Sequence, residues 1–504
     1  MPTADGLRRV LDWRALLVLG IANILGAGVY VMTGAAAALF AGPAVSVSFA
    51  LAGAACVLVG LCYAELAAAM PVSGSSYSYC RQTLGLGPAW ALGWLLFLEF
   101  SVGASLLAVG FAGYLGSLLG DLGVQLPAAI STPLLQATVE GGQLALVRGE
   151  GVNLVAALAV LAAGAVLALG IAHSSLANAV LVVVKVSVLL AFIAVGATVV
   201  DAANWTPFVP ANEGGFTYGW EGVVRAASLL FFAFLGFETV STAAAEARDP
   251  QRDVPRGILG SLLVCTTLYV AAAIVLTGLV PFRDLGVPDP IALAVDRIGW
   301  PGFAVLIKLG ALAGLASVLL ANGFGHSRVC HAMSRDGLLP DLLSHVHARR
   351  ASLWKANLLL AAIAAFNAAM LPIAVMADII SFGVAFMFVT VAISLIRLRS
   401  MQAAPAAGFR VPLGGPVFGG IWFGVVPVVA IIASVAMVVP VALDILGQAR
   451  RGDWLPAALL GGYAIVGWLL YRGYGRPRAL RREAATLAGA PSSRDGARAA
   501  GQAP

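Results

Sequence analysis

The chain has 504 residues, of which 60% are hydrophobic and 11% charged, with a mean hydropathy of +0.94. A water-facing surface draws on about 25% charged residues, so this composition excludes a soluble globular protein and places the chain in a membrane. The formal charge is +6; its basic residues sit at the ends of apolar segments, which argues for membrane topology and against nucleic acid as a partner.

From the N-terminus, MPTADGLRRVLDWR leads into an apolar run without a small-residue cleavage site, the pattern of a retained first anchor. At about 20 residues per span, the chain divides into about twelve predicted helices: 15–39, 44–70, 89–119, 153–172, 176–200, 222–245, 257–280, 302–325, 353–371, 373–396, 416–439 and 455–471. The loop over 121–151 and the Trp-bearing stretch 201–220 are rich in Gly and Pro and predicted irregular. The tail after Tyr474 is predicted disordered from its Arg, Ala, Gly, Pro and Ser content. Cys56, Cys62, Cys80, Cys265 and Cys330 show neither zinc spacing nor the pairing pattern of a secreted scaffold, which predicts free thiols.

Lys and Arg concentrate on alternate connections: Arg8, Arg9 and Arg14; Arg81; Arg248, Arg252 and Arg256; Arg328, Arg335, Arg349, Arg350 and Lys355; Arg397, Arg399 and Arg410; and Arg472 onward. The positive-inside rule puts these loops and both termini in the cytoplasm, which agrees with an even number of spans.

Clustered glycines weaken a helix by about 1 kcal/mol each and free backbone groups that lipid cannot satisfy. The first segment nevertheless carries Gly26, Ala27 and Gly28 at mid-depth, and the sixth carries Gly236 followed by Glu238 and small polar residues. Their interval makes segments 1 and 6 equivalent first helices of two five-helix repeats, inverted because five is odd; matching broken helices point to a transporter's midplane site. Amides after Gly26 suit a carboxylate, and freed carbonyls on both helices suit an ammonium group. An α-amino acid presents both charges on one carbon. The alternative is a packing motif of small residues that lets helices approach.

The stretches LGAGVYV (25–31), LCYAELAAAMPVSGSSYSY (61–79), LGWLLFLEFSVGAS (92–105), FFAFLGFETVSTAAAEARDPQRDVPRGI (231–258) and HSRVCHAMSRDGLLP (326–340) resemble amino acid permeases of the APC superfamily, above all cationic amino acid transporters and their bacterial relatives. The resemblance spans 14–412 and implies an all-α integral membrane protein of the APC/LeuT type: about twelve transmembrane helices, a five-plus-five inverted repeat, discontinuous helices 1 and 6, and alternating access around a central site. The chain would then divide into a cytoplasmic N-terminus (1–14), a first repeat (15–200), a second repeat (201–396), two added helices (397–475) and the tail (476–504). The resemblance implies carboxylate-binding backbone at Gly26, Ala27 and Gly28, ammonium-binding carbonyls at Ile24, Phe232, Ala233 and Leu235, and Phe232 as the aromatic that closes over the substrate. Ala22, Asn23 and His326 depart from the family's pattern.

An ionisable residue at mid-bilayer costs about 2.5 kcal/mol or more. Lys185 and Glu99 fall at depths of about 14 and 15 Å in segments of the same direction, which predicts one shared polar cavity. In relatives, a lysine at the Lys185 position projects toward where sodium-coupled cousins bind an ion, beside the small polar residue that matches Ser317. Lys185, with Glu99 and Ser317, is therefore the predicted proton-coupling site; the alternatives are a structural lysine bonded to segment 1 carbonyls and a buried, hydrogen-bonded carboxylate. Glu65, Arg81 and Arg328 are predicted to form a cytoplasmic gate, against the plainer reading of ordinary ion pairs at helix ends. Lys308 lies about 9 Å from its helix end and is expected to snorkel. His326, His331, His345 and His347 lack metal-site geometry and read as part of a basic loop.

No HExxH, GxSxG or spaced third glycine supports an enzyme or a nucleotide site, and neither cofactor nor metal is expected. A channel is the rival class, because broken helices also line pores. Among carriers, the apolar Phe231, Phe232, Leu235, Leu315 and Leu319 suit small or medium neutral L-amino acids taken up with protons. Cationic substrates, which would call on Glu99 or Glu238, and amino acid exchange remain alternatives. The Ala, Gly and Arg richness points to a bacterial cytoplasmic membrane, with lipids as the surrounding partner.

Overall fold

The computed structural model describes residues 10–70, 75–140, 143–170, 175–347, 352–401, 408–452 and 454–489. The N-terminal residues through 9, Arg349, Arg350 and the tail beyond 489 lie outside them. The described chain is predominantly helical: α1 (Trp13–Ile24), α2 (28–41), α3 (Val45–Ala69), α4 (Ser75–Thr83), α5 (Leu86–Asp121), α6 (Leu154–Ala168), α7 (Ser175–Gly196), α8 (Gly219–Leu230), α9 (Pro250–Leu279), α10 (Pro301–Arg335), α11 (Trp354–Met370), α12 (Ile373–Met401), α13 (Val425–Arg450), α14 (Leu455–Leu470) and α15 (Arg476–Gly489). Among the described residues, eight helical stretches are long and apolar enough to cross a membrane, and three shorter apolar helices accompany them. Apolar side chains such as Ile432, Leu443, Ile465 and Leu469 stand exposed on α13 and α14, a surface suited to lipid.

The first of the eight stretches, Trp13–Ala69, folds back on itself. Along α9, Leu16 meets Gly257, Gly20 meets Ser261 and Ile24 meets Tyr269, so α1 runs parallel to it; Gly53 meets Thr266 and Gly60 meets Ile258, so α3 runs antiparallel. The reversal sits at Gly42, whose φ of +60° only glycine adopts freely, followed by Pro43. Asp12 caps α1 by accepting from the Ala15 amide at 2.9 Å. α5 and α10 lie antiparallel through the centre, with Gly93 on Met333, Phe100 on Gly325 and Gly103 beside Asn322.

Three expectations change. The loop after α5 is not wholly irregular: Leu135–Glu140 and Gln143–Arg148 pair as an antiparallel hairpin. The eleventh span starts later than predicted, because Val417–Phe418 and Ile421–Trp422 form a small hairpin that turns at Gly419 and Gly420. The tail is helical over Arg476–Gly489, where Arg, Ala, Leu and Glu favour a helix.

Candidate functional site

α1 ends at Ile24, and the next helical run begins only at Gly28. α8 gives way to a tight turn over Phe231–Phe234, then to an open stretch before Thr239–Thr242. The two breaks press together. A Cβ at Gly236, whose φ is +118°, would fall 2.5 Å from the Asn23 carbonyl carbon and 2.8 Å from the Ile24 nitrogen; one at Gly28 would fall 2.5 Å from the Ala233 Cβ. Glycine at both places lets backbone meet backbone, so the groups freed by each break share one small volume.

Tyr269 of α9, which the sequence reading missed, connects them. Its hydroxyl lies 2.6 Å from the Ile24 carbonyl and 3.2 Å from the Ala233 carbonyl, and its oxygen faces the Gly26 amide. One hydroxyl hydrogen serves only one carbonyl at a time, so the other keeps acceptor capacity for an ammonium group. The Phe232 carbonyl accepts from the Leu235 amide at 2.9 Å, closing the turn. The Glu238 carboxylate accepts from the Gly236 amide at 2.7 Å, which satisfies a donor that the break would otherwise strand.

Phe232 points at α5 and α10: a Cβ on Gly103 would lie 3.7 Å from its ring and 3.2 Å from the Asn322 amide nitrogen. Gly26 approaches Val318 of α10 in the same region. Asn322, also missed from sequence, keeps a buried Oδ1 without a partner among the described residues. Phe231, expected in the pocket, instead packs edge-on against Phe388 at 5.0 Å. The site is thus lined by Phe232, Val318 and the bare backbone of Gly26 and Gly103, with one amide at its edge.

Lys185 is 1% exposed on α7, and its Nζ donates to the Ala22 carbonyl at 3.1 Å, in the last turn before the first break. Gly314 lets the lysine stem lie against α10. Ser317 is buried on the same helix but makes no hydrogen bond to Lys185 among the described residues. Glu99 does not share the Lys185 environment: the charged group that acts on it is Glu238, and its Oε2 is buried without a partner. Similar depth put the two on one level, but α5 turns Glu99 toward Gly383 of α12 while α7 turns Lys185 toward α1 and α10.

The predicted cytoplasmic triad is not assembled. Glu65 takes a two-pronged contact from Arg399 at 2.5 and 2.7 Å and the Val411 amide at 2.7 Å. Arg81 pairs with Glu483 of α15 and Asp336, and Arg328 stacks on Phe324. Lys308 does not snorkel: it is fully buried, 2.7 Å from both Asp121 and Asp296. His326 is buried against Phe97 and Phe100 rather than in a solvated loop.

A family model described as amino acid permease matches residues 11–461. The chain belongs to the amino acid permease family. It is 36% identical over 477 residues to the methylthioribose transporter of Bacillus subtilis (strain 168), covering 95% of each chain. It is 39% identical over 416 residues to the branched-chain amino acid permease BcaP of the same organism, covering 82% of this chain and 86% of that one. To cationic amino acid transporter 4 of Homo sapiens it is 32% identical over 402 residues, 79% of this chain and 61% of the other. The permease is therefore a multi-pass membrane protein of the APC superfamily, and the relatives' names are those of transporters, not enzymes.

Proposed function

We propose that this permease is a secondary transporter of neutral L-amino acids of the branched-chain class, working by alternating access with protons as the coupling ion. The observation that carries the reading is the junction of the two breaks, where Gly26–Gly28 amides and the Ile24 and Ala233 carbonyls meet around Tyr269. Those groups match a carboxylate and an ammonium on one carbon. The lining by Phe232 and Val318 suits an aliphatic side chain, and a relative named as a branched-chain amino acid permease supports it. Lys185 is the proton carrier in this reading: a buried ammonium with three donors and one carbonyl partner has reason to give up its proton when α1 moves.

The eight long stretches, the fold-back in the first and the three short apolar helices fit twelve spans in two inverted repeats followed by two added helices. Both termini then face the cytoplasm of a bacterial cell, as the Lys and Arg distribution requires. A cationic substrate, as in the relatives named for one, would rely on Glu99 or Glu238, but Glu238 is engaged by the Gly236 amide.

The test is uptake of labelled leucine, alanine and arginine into proteoliposomes, with an inward proton gradient or with sodium, for the wild type and Lys185→Met. Saturable, proton-driven leucine uptake with counterflow, lost as accumulation in the variant, is expected. Arginine uptake without leucine refutes the substrate class, non-saturating flux refutes a carrier, and a sodium requirement or an indifferent variant removes Lys185 from coupling.

A further inference from the structure

α15 follows α14 without a break in the helical run, through a widened turn over Tyr471–Gly475. One face of it is fitted to the connection after α10. A Cβ on Gly475 would fall 3.0 Å from the Leu338 carbonyl oxygen, and one on Gly337, whose φ is +82°, 3.2 Å from the Ala479 Cα. From the same face Arg482 donates to the Ser334 and Arg335 carbonyls at 2.7 and 2.8 Å, in the last turn of α10, where a cation is favoured. Arg478 and Arg482 take Asp341 between them, and Glu483 pairs with Arg81 of α4. α15 thus fastens α4 to the end of α10.

The opposite face is built differently. Residues 471–484 carry five arginines, of which Arg472, Arg476 and Arg481 are exposed, with Leu480 among them. The one acid in that stretch, Glu483, is turned to α4. Among the described residues no carboxylate pairs with Arg472, Arg476 or Arg481. The positive-inside rule explains why arginines follow a span. It does not require three of them to share one face while the acid and the two arginines that bind protein share the other.

The level of that face follows from α14, which leaves Ile465, Trp468 and Leu469 exposed. The Arg472 guanidinium lies over the Trp468 ring, 5.1 Å from its centroid. A tryptophan at the end of an apolar span sits at the membrane–water interface, so Arg472 stands at headgroup level. Steps of four, which keep to one side of a helix, lead from Trp468 to Arg472, Arg476 and Leu480. At 1.5 Å per residue Arg476 lies at most about 6 Å beyond Arg472, and Arg481 at most about 14 Å. The first two are therefore within a Debye length of about 8–10 Å from the lipid surface whatever the direction of α15.

We propose that α15 docks on anionic phospholipid headgroups through Arg472, Arg476 and Arg481, and is held between lipid on this face and the α4 and α10 connections on the other. A guanidinium matches the oxygens of a phosphate with two parallel hydrogen bonds, and Leu480 gives the same face an apolar contact at the headgroup boundary. Each arginine near an anionic surface strengthens such a contact about fivefold. Because α15 joins α4 to the end of α10, the lipid contact also holds those two connections together. None of this depends on the substrate carried or on Lys185.

The test is amide exchange of α15 in the full-length protein, one copy per nanodisc, in discs of phosphatidylcholine alone or with about one third phosphatidylglycerol. It compares the wild type, the triple variant Arg472→Gln, Arg476→Gln, Arg481→Gln and the double variant Arg476→Gln, Arg481→Gln. Wild-type exchange over 476–484 is expected to slow in the anionic discs, by about fivefold for each arginine engaged and up to about a hundredfold for three, and to recover in about 0.5 M salt. In the triple variant the two discs give the same rate. The double variant leaves the Arg472–Trp468 contact alone, keeps at most about a fivefold effect, and decides the matter if the triple variant does not fold. Equal wild-type rates in the two discs, or an undiminished lipid effect in the variants, overturn the proposal. Equal slowing by inorganic phosphate in phosphatidylcholine discs assigns the face to a free anion, and slowing that needs two copies per disc assigns it to a second chain; either result overturns it as well. No step uses a substrate, so failure of the transport reading leaves this test unchanged.

Discussion

Adding one methyl group at each of three glycines tests the contact between the breaks, because the structure assigns the same change opposite signs. At Gly236 a Cβ would sit 2.5 Å from the Asn23 carbonyl carbon and 2.8 Å from the Ile24 nitrogen, both backbone atoms, at a φ of +118°. Overpacking costs about 1–3 kcal/mol and the backbone strain about 1–3 kcal/mol more. Gly236→Ala is therefore expected to lose about 2–6 kcal/mol, a large share of the 5–15 kcal/mol that holds a typical protein together, and to force the breaks apart. Gly28→Ala meets Ala233 at 2.5 Å without a positive φ and is expected to lose about 1–3 kcal/mol. Gly461→Ala on α14 has nothing within 4 Å and gains helix stability by about 0.5–1 kcal/mol. The assay is the monodisperse fraction surviving a heating series, followed by leucine uptake. If Gly236→Ala survives and transports like Gly461→Ala, the breaks do not meet as described, and the site built on their contact falls with them.

Lys308 and its partners should respond unequally. Asp121 and Asp296 are partly exposed and can hydrate, so Lys308→Met costs about 1 kcal/mol or less, whereas Asp121→Ala with Asp296→Ala strands a buried ammonium and costs about 3–5 kcal/mol; equal melting temperatures would contradict this. Glu65→Ala leaves Arg399 and the Val411 amide unpaired and is expected to cost about 3–5 kcal/mol, measurable as lost thermal stability, while Arg328→Ala changes little. Arg478 and Arg482 hold Asp341 below its ordinary value of 3.8. A lowered value means the stabilisation is complete above 3.8 and is lost only as pH falls through the still lower folded value. Docking of α15 should accordingly hold from neutral pH to about pH 4 and weaken in stronger acid, and Asp341→Asn should speed amide exchange of α15 at pH 7; unchanged exchange would count against the contact.

What was legible in the sequence was whatever repeats or interrupts locally. Apolar runs located most of the spans, although α13 starts nine residues later than read and α10 runs ten residues past its expected end, and glycines located both breaks. Two hairpins were equally local, since Gly141–Gly142 and Gly419–Gly420 stand between short apolar strands, but the first was read by its loop composition and the second was taken into the eleventh apolar span. The tail failed for the same reason: its Arg and Ala content suggested disorder, while its helix propensity pointed to α15. Other features are not local at all. Tyr269 is one tyrosine in an apolar helix until α9 lies beside the breaks, and no spacing rule links Glu65 to Arg399 or Arg225 to the Asp378 and Asp444 with which it pairs. Equal depth suggested that Lys185 and Glu99 meet, but depth fixes one coordinate, and the rotation of α5 and α7 about their own axes fixes the other.

The intramembrane charges divide by that depth. Asp378 near the start of α12 and Arg399 near its end are separated by about 32 Å at 1.5 Å per residue, close to the roughly 30 Å hydrocarbon core. Each is matched by an opposite charge from another helix, Arg225 at one face and Glu65 at the other. At mid-depth the pattern changes: Lys185 has a carbonyl, Glu238 an amide, and the Glu99 Oε2 nothing among the described residues. A charge paired at the membrane face can separate into water when its helix moves, which keeps the cost of moving small. A charge held at the midplane by backbone alone has no such exit, and it is stabilised only by exchanging a proton or by meeting a charged group that enters the site. The placement of paired charges at the faces and backbone-held ones in the middle fits the alternating-access reading proposed above, in which helices separate at each face in turn.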